Sequence, residues 1–526
     1  MASGLLGASS AIWRSVKIAS SAAVDCKSFA LLASLPSSEK KRQMAVTPNI
    51  GHPNLWRVLG LALLLRALLP TLGYCHSRDI TIFYTPDTAS YVGPARELVV
   101  HQRFFSDGSP EIIRTPGYPL LLTVGLLLGR LVFATITLQV LLSCFTVFMV
   151  YRTAGLLFES EEIAVIAAGL YAIDPLSILF ASLLGAETLF TAVVMVGVYY
   201  LVKYLRRQSL GDLLVSAVAL AASVYIRPIG YFLPMIVAPG LAAWALVTHR
   251  QNKLRFLAHA CAFVMVSVAL TGLWQVRNKL ETGYSGFSDI ATDNLYFISA
   301  GSVLAVKQHV PYYAMRDRLG YQDYSVYLQD HPEQKNWTVA HRVKYESQAA
   351  EHILLDSPST YARIYFDGVV RATFDPLSTE YLRFFNLYPK QGELLTIAVD
   401  QGIITTVKAL FASPLLFWSI AVMLPLQLMY LSCACITLCK RTILDPAIFA
   451  VVFVASYYMA IAGGPGDWGR FRHPAMPIIC MLAGYGFHLV LVWSRLRPRL
   501  QGFPDRFAIS CLVGSESAAS TEQLEP

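Results

Sequence analysis

The feature that most constrains this chain is a series of uninterrupted apolar blocks, each roughly 17–25 residues long. A block of that length crosses the hydrocarbon core of a bilayer as an α-helix. Backbone polar groups find no water there, so only helices and closed barrels cross, and continuous rather than alternating apolar runs favour helices. Only 14% of the residues are charged, against about 25% in soluble domains. We therefore predict an all-α polytopic membrane protein.

The apolar blocks that are long enough to cross a bilayer number about ten. They lie at residues 57–74, 132–154, 162–183, 188–205, 210–226, 229–248, 254–275, 408–434, 445–462 and 474–494. Residues 117–129 include a shorter apolar stretch, which predicts an interfacial or re-entrant helix.

The blocks divide the chain into two tails, two groups of spans and a long polar region. Residues 1–43 are rich in Ser and Ala, and could be a tail, a targeting segment or an extension upstream of a natural start at Met44. The transmembrane core covers 44–275 and includes a long first outer loop at 75–115. Then follow an outer region at 276–400, C-terminal transmembrane helices at 401–495 and a cytoplasmic tail at 496–526.

Short basic clusters between the blocks set the expected orientation, because loops rich in Lys and Arg stay in the cytoplasm. With the amino end inside, the clusters at 203–207, 250–255, 440–441 and 495–499 all fall inside. This orientation assigns the first outer loop and the outer region to the extracytoplasmic side. It also explains the net charge of +8 without a nucleic-acid partner.

Several arginines break this pattern, since they lie at the predicted outer ends of spans. They are Arg114, Arg227, Arg277, Arg470 and Arg472. A guanidinium matches phosphate through a planar fork of donors, and a polyprenyl phosphate presents that anion at the level of the lipid headgroups. The alternative is that each arginine snorkels to lipid headgroups.

Two acidic residues on the same predicted face are candidates for catalysis. Asp87 lies early in the first outer loop, and Glu187 begins a span. A carboxylate that removes the acceptor proton in a glycosyl transfer contributes about 10²–10⁴-fold to the rate. The alternatives are that Asp87 caps a helix and that Glu187 complements a helix dipole. The nine cysteines include no CxxC pair, so we predict neither a metal site nor a disulfide framework.

A set of short motifs extends from the first outer loop to the last span. They are Asp87 with Tyr91, Arg114-Thr115-Pro116-Gly117-Tyr118-Pro119, Glu187-Thr188-Leu189-Phe190, Arg227-Pro228, Trp274 with Arg277-Asn278, and Arg470-Phe471-Arg472-His473-Pro474. Taken in this order, they resemble the GT-C superfamily of transferases that use polyprenyl-phosphate sugars, especially bacterial relatives of protein O-mannosyltransferases and of the lipid A aminoarabinose transferase. One departure is that many relatives carry an Asp-Glu pair where Asp87 is followed by Thr88.

The resemblance implies a GT-C-like bundle that transfers a sugar, with inversion, from a polyprenyl-phosphate donor to a lipid, glycan or protein acceptor. Asp87 would be the base and Glu187 its helper, while the outer arginines would hold the donor phosphate. Tyr91, Asn278 and His473 would position the substrates. No cofactor is required, but a divalent metal stays open because Asp87 could be a ligand. The expected location is a bacterial inner (plasma) membrane, with the active site on the extracytoplasmic side.

Two other classes of protein compete with this interpretation. A secondary transporter or flippase for a lipid-linked or anionic substrate needs ionisable groups within the membrane. Arg66, inside the first predicted span, is the residue that favours it, although such a charge can also be structural. An outer-face ligase that joins preassembled glycan polymers would need the same outer arginines.

Overall fold

The computed structural model describes residues 51–248, 252–321, 323–387, 408, 410–411, 413–466 and 468–500, all within one compact unit. The predicted N-terminal tail and Met44 lie outside the described residues. So do residues 388–407, where the outer region is predicted to end, and most of the predicted cytoplasmic tail.

Helices account for most of the chain up to residue 282. They are α1 (Pro53–Ser77), α2 (Thr88–His101), α3 (Gly117–Leu127), α4 (Leu131–Phe158), α5 (Glu161–Ala172), α6 (Pro175–Ala181), α7 (Glu187–Arg207), α8 (Leu210–Val224), α9 (Leu233–Thr248) and α10 (Lys253–Thr282). Short 3-10 turns lie at Ile80–Phe83 and Pro228–Gly230. An antiparallel hairpin, β1 (Phe105–Ser106) with β2 (Ser109–Pro110), follows α2.

The remainder of the described chain is also helical. It contains α11 (Ile290–Asp293), a π-helix (Asn294–Ala300), α12 (Gly301–Gln308), α13 (Tyr312–Arg318), α14 (Tyr324–Asp330), α15 (Val339–Leu355), α16 (Pro358–Phe374), α17 (Ser378–Phe384), α18 (Pro414–Leu438), α19 (Pro446–Ile461), α20 (Trp468–Phe471) and α21 (Met476–Leu500). The 3-10 turns here are Pro332–Asn336, Arg441–Leu444 and His473–Ala475. Residues 284–387, between α10 and α18, are named the polar helical region below.

Seven helices among the described residues are long and apolar enough to cross a membrane, and α5 with α6 forms an eighth, broken candidate. The seven are α1, α4, α7, Pro228–Val247, α10, α18 and Gly469–Ser494. Helices α8 and α19, with 15 and 16 residues, occupy the two other predicted spans. The protein is thus an integral membrane protein, and the predicted all-α polytopic class is confirmed.

The spans differ in how deeply they lie within the bundle. In α7 and in Gly469–Ser494, 61% of the most apolar window is buried, against 28% in α1 and in α18. Two spans are therefore central, and each carries a predicted site residue in its first turn, namely Glu187 and Arg470.

The third predicted span is broken, because α5 and α6 are bent by 55°. Arg66, with 0% exposure, satisfies the end of α5 by donating from Nη1 to Ala172 O at 2.8 Å and from Nη2 to Tyr171 O at 3.0 Å. Asp174 caps α6 by accepting from the Ser177 backbone N–H at 2.9 Å. Backbone groups at membrane depth need such protein partners, so Arg66 has a structural role.

Candidate functional site

Two hydrogen bonds to the Leu184 backbone bring the two candidate carboxylates together. The Leu184 N–H donates to Phe83 O at 2.7 Å, and the Thr88 hydroxyl donates to Leu184 O at 2.9 Å. Since Thr88 follows Asp87 and Leu184 comes three residues before Glu187, these bonds join the start of α2 to the start of α7.

Asp87 precedes α2, but its side chain makes no helix-capping hydrogen bond, so the capping alternative is wrong. Its Oδ1 accepts from Arg114 Nη2 at 2.7 Å, and its Oδ2 pairs with Arg470 Nη2 at 2.5 Å. Burial alone would raise the pKa of Asp87, but Arg470 and Arg114 outweigh it and hold the pKa well below its usual range. The carboxylate is charged throughout the physiological range.

Glu187 opens α7 with only 1% of its surface exposed. Its Oε1 accepts from Arg227 Nη1 and from Arg470 Nε, so it does more than complement a helix dipole. Within the described residues its Oε2 has no hydrogen-bond partner. This carboxyl group also lies against Gly185, where a Cβ would collide with Oε2.

Arg470 contacts both carboxylates and thereby completes a charge network of Arg114, Asp87, Arg470, Glu187 and Arg227. The three arginine side chains are 12–14% exposed. Three guanidiniums against two carboxylates leave one net positive charge. In a site with little solvent this excess favours an anion, and the planar fork of arginine favours phosphate or carboxylate.

Arg114 is held in place by three neighbours. Its guanidinium lies 4.7 Å from the centre of the Tyr91 ring, and its Nε donates to Ser90 Oγ at 2.9 Å. Glu111, which the sequence analysis missed, accepts from the Arg114 backbone N–H at 2.8 Å through Oε1. The same oxygen accepts from the Ile113 N–H at 2.6 Å, so one buried carboxylate fixes the turn. Tyr91 therefore positions an arginine of the network.

Arg277 and Asn278 lie outside the charge network. Arg277 donates to Glu111 O at 2.7 Å and to Phe104 O at 2.8 Å, while Asn278 Nδ2 donates to Gly286 O at 3.0 Å. Both side chains fasten α10 to neighbouring loops. The roles predicted for them, a donor-phosphate contact for Arg277 and substrate positioning for Asn278, stay predictions.

Arg472 also lies apart from the network, although it is only two residues from Arg470. It is 1% exposed and donates from Nη1 to Ala372 O at 2.7 Å and from Nη2 to Asp375 O at 3.1 Å. These bonds hold the end of α16 against the loop before α21. These contacts give Arg472 a structural role, and its predicted contact with the donor phosphate stays a prediction.

His473 is buried behind the network, with 1% exposure. Its Nδ1 forms a hydrogen bond of 2.7 Å with Thr191 Oγ1, one helical turn after Glu187. This bond links the loop before α21 to α7, and the predicted role of His473 in positioning a substrate stays a prediction.

The metal that the sequence left open can be tested against the donor atoms. Across the described ranges, no group of three or more His, Cys, Asp or Glu side chains is arranged to hold a metal ion. Both oxygens of Asp87 already accept from guanidiniums. The described residues do not fit a divalent metal at this site.

The fold and the site together define the class: an integral membrane protein with a buried arginine–carboxylate network. Residues 113–274 match the family model described as dolichyl-phosphate-mannose-protein mannosyltransferase. The match confirms the resemblance drawn from the motifs, and it covers Arg114, Glu187 and Arg227. Asp87 and Arg470 lie outside the matched residues.

Similar solved structures come from an archaeon and a bacterium. An oligosaccharyltransferase from Archaeoglobus fulgidus, in complex with zinc and sulfate, is 12% identical with a TM-score of 0.44, covering 88% of this chain and 51% of that one. Its AglB complex with an inhibitory peptide and a dolichol-phosphate is 13% identical, with a TM-score of 0.46, covering 87% and 54%. ArnT from Cupriavidus metallidurans, bound to undecaprenyl phosphate, is 14% identical with a TM-score of 0.34, covering 85% and 81%.

These likenesses are distant, with TM-scores of 0.46 or lower. The chain spans about half the length of the archaeal oligosaccharyltransferase chains that it matches. No curated protein gives a significant sequence match.

Proposed function

We propose that this protein is a glycosyltransferase that moves a sugar from a polyprenyl-phosphate donor to a lipid, glycan or protein acceptor on the extracytoplasmic face of the membrane. The observation that carries the proposal is the charge network, in which Arg470 bridges Asp87, before α2, and Glu187, at the start of the central span α7. The matched family is named for a dolichyl-phosphate mannose donor, which agrees with an arginine site beside a bilayer.

The donor phosphate would bind Arg227 and Arg470, with the polyprenyl chain lying in lipid. The acceptor hydroxyl or amine attacks the anomeric carbon while its proton passes to Asp87. The bond between that carbon and the phosphate oxygen breaks, and polyprenyl phosphate leaves as an anion. A single displacement inverts the anomeric carbon. Positioned guanidiniums stabilise the charge that develops on the leaving phosphate.

The low pKa of Asp87 implies that the donor binds before Asp87 acts as a base. While two guanidiniums bind its carboxylate, Asp87 is a weak base. A donor phosphate would draw Arg470 away from the carboxylate, which raises the pKa of Asp87 and strengthens it as a base. The proposal therefore predicts that Asp87 accepts a proton efficiently only after the donor has bound.

The transporter alternative loses its main support in this structure. Arg66 was the intramembrane charge that favoured a transporter. Its guanidinium donates to the carbonyls of Tyr171 and Ala172, at the break between α5 and α6. It also donates to Ser143 and Ser177 side chains at 2.6 Å and 2.8 Å. These contacts support a structural charge rather than one that binds a transported substrate.

The direct test measures free polyprenyl phosphate, because every candidate donor sugar releases the same product. Proteoliposomes receive a panel of radiolabelled polyprenyl-phosphate sugars and a membrane extract as acceptor. Asp87→Asn should lower turnover by about 10²-fold or more. The matched control is Asp79→Asn, an exposed helix-capping carboxylate in the same loop, which should retain normal turnover. Near-normal turnover of Asp87→Asn would rule out the base assignment.

A further inference from the structure

A second group of carboxyls lies on the polar helical region, beside the charge network. Asp289 precedes α11, Asp293 ends it, and Glu346 lies on α15. The Asp289 N–H donates to Ile112 O at 3.0 Å, and the Ser288 hydroxyl donates to Ile113 O at 2.6 Å. Asp289, Asp293 and Glu346 are named the carboxyl cluster below, and these bonds attach it to the turn that carries Arg114.

Buried carboxyls of like charge either hold protons or bind a compensating cation. Asp289 is 1% exposed and Glu346 is 3% exposed, whereas Asp293 is half-buried at the edge. Burial raises the pKa of Asp289 and of Asp293, and it raises the pKa of Glu346 to about 8. Repulsion between the carboxyls is part of the reason why the pKa values of Asp293 and Glu346 are raised. Arg342, with its Nε 3.6 Å from Glu346 Oε1, compensates only part of this charge.

One atom of the cluster points to a ligand. Oδ1 of Asp289 is buried and has no hydrogen-bond partner among the described residues. An unmade hydrogen bond on a buried carboxylate costs free energy that a cationic donor would recover. The adjoining π-helix, Asn294–Ala300, is a form of backbone that is frequent at functional sites.

Tyr321 interacts electrostatically with carboxylates of both the cluster and the proposed transfer site. Burial raises the pKa of this phenol, and both Asp87 and Asp293 raise it further, so it lies within the field of both carboxylates. Because the donor phosphate is assigned to Arg227 and Arg470, we assign the acceptor to the opposite side of Asp87, where Arg114 and the Ile112–Ile113 turn lead to Asp289. This placement rests on the proposed function.

We propose that Asp289, Asp293 and Glu346 form a subsite for a protonated primary amine carried by the acceptor. An ammonium group offers three donors, which match the unpartnered Oδ1 of Asp289 and the neighbouring carboxyls. The described carboxyls are not grouped as metal ligands are. An ammonium group can instead bridge carboxylates that stand further apart.

The test measures binding rather than transfer. The purified full chain in nanodiscs is titrated with glucosamine, at a pH where its amine is protonated, and with neutral N-acetylglucosamine. Glucosamine should bind more tightly, and Asp293→Asn should weaken it about tenfold or more, the loss expected for one charge-assisted hydrogen bond. Asp317→Asn, an exposed acid of α13, is the matched control and should bind as the wild type does.

A second variant guards against a folding defect. Asp289→Asn removes a buried, under-compensated charge, so it should weaken glucosamine binding without lowering the unfolding temperature. Equal binding of the two sugars, or wild-type binding by both variants, would overturn the proposal. Binding of Mn²⁺ that depends on Asp293, without glucosamine binding, would replace it with a metal site. Asp87→Asn should keep glucosamine binding while losing transfer, so failure of the subsite and failure of the proposed reaction are distinguishable.

Discussion

Arg470→Gln tests the charge network most directly, because Arg470 is the residue that contacts both carboxylates. It donates to Asp87 and to Glu187, whose side chains are 19% and 0% exposed, so solvent screening is weak. A hydrogen bond to a charged group contributes about 1.5–3 kcal/mol. In this variant Asp87 still pairs with Arg114 and Glu187 still pairs with Arg227, so neither carboxylate is left unpaired. We therefore expect the free energy of unfolding to fall by about 3 kcal/mol, the lower end for two such bonds.

The assay is reversible unfolding in mixed micelles, followed by tryptophan fluorescence. Arg130→Gln, at an exposed arginine before α4, supplies the control for removal of a positive charge. A double-mutant cycle with Asp87→Asn should give a coupling free energy of at least about 1 kcal/mol. If Arg470→Gln matches the control to within about 0.5 kcal/mol and the two substitutions are additive, the network does not exist in the form described here.

Three further outcomes follow from the same contacts. Gly185→Ala should lower transfer about tenfold or more, since the methyl group would displace the Glu187 carboxylate, whereas Gly211→Ala, with only the Ser209 hydroxyl at 3.7 Å, should not. Because the pKa of Asp87 is lowered, its ion pairs stabilise the folded protein fully above its unfolded pKa of about 3.9, and this stabilisation is lost as pH falls through the folded pKa. Urea unfolding of the wild type and of Asp87→Asn, measured across pH, should therefore show a difference in unfolding free energy that shrinks only in strong acid. Arg66→Met should lower the unfolding free energy by about 2–5 kcal/mol in the same assay, because two buried carbonyls and two serine hydroxyls lose their donor.

The spans could be predicted because their length is imposed by the bilayer. The break at Asp174 was not predicted, although an Asp followed by Pro175 is a signal for a new helix start. Apolar residues continue on both sides of that signal, so hydropathy alone predicts one uninterrupted span. Arg66, far away in sequence, supplies the hydrogen bonds that make the break tolerable. Such a non-local partner has no signature in the local pattern.

The candidate site was predictable in its residue types but not in its connections. Asp87 and Glu187 are 100 positions apart, and they meet because Leu184 hydrogen-bonds with Phe83 and Thr88. The bond to Phe83 is between backbone groups, which almost any sequence could make, and the bond from Thr88 needs only a hydroxyl. Glu111 escaped notice for a similar reason, since its role is to close a turn through backbone N–H groups.

Local helix geometry could have reduced the number of arginines predicted to bind the donor phosphate. Residues two apart on a helical turn do not share a face, so Arg470 and Arg472 could not both reach one phosphate from the same turn. The structure follows this rule, with Arg470 on the carboxylates and Arg472 on the carbonyls of Ala372 and Asp375. The charges that break the positive-inside pattern are thus of two kinds. Those paired with carboxylates can be drawn to an incoming anion, whereas those bonded to backbone carbonyls hold helices in place.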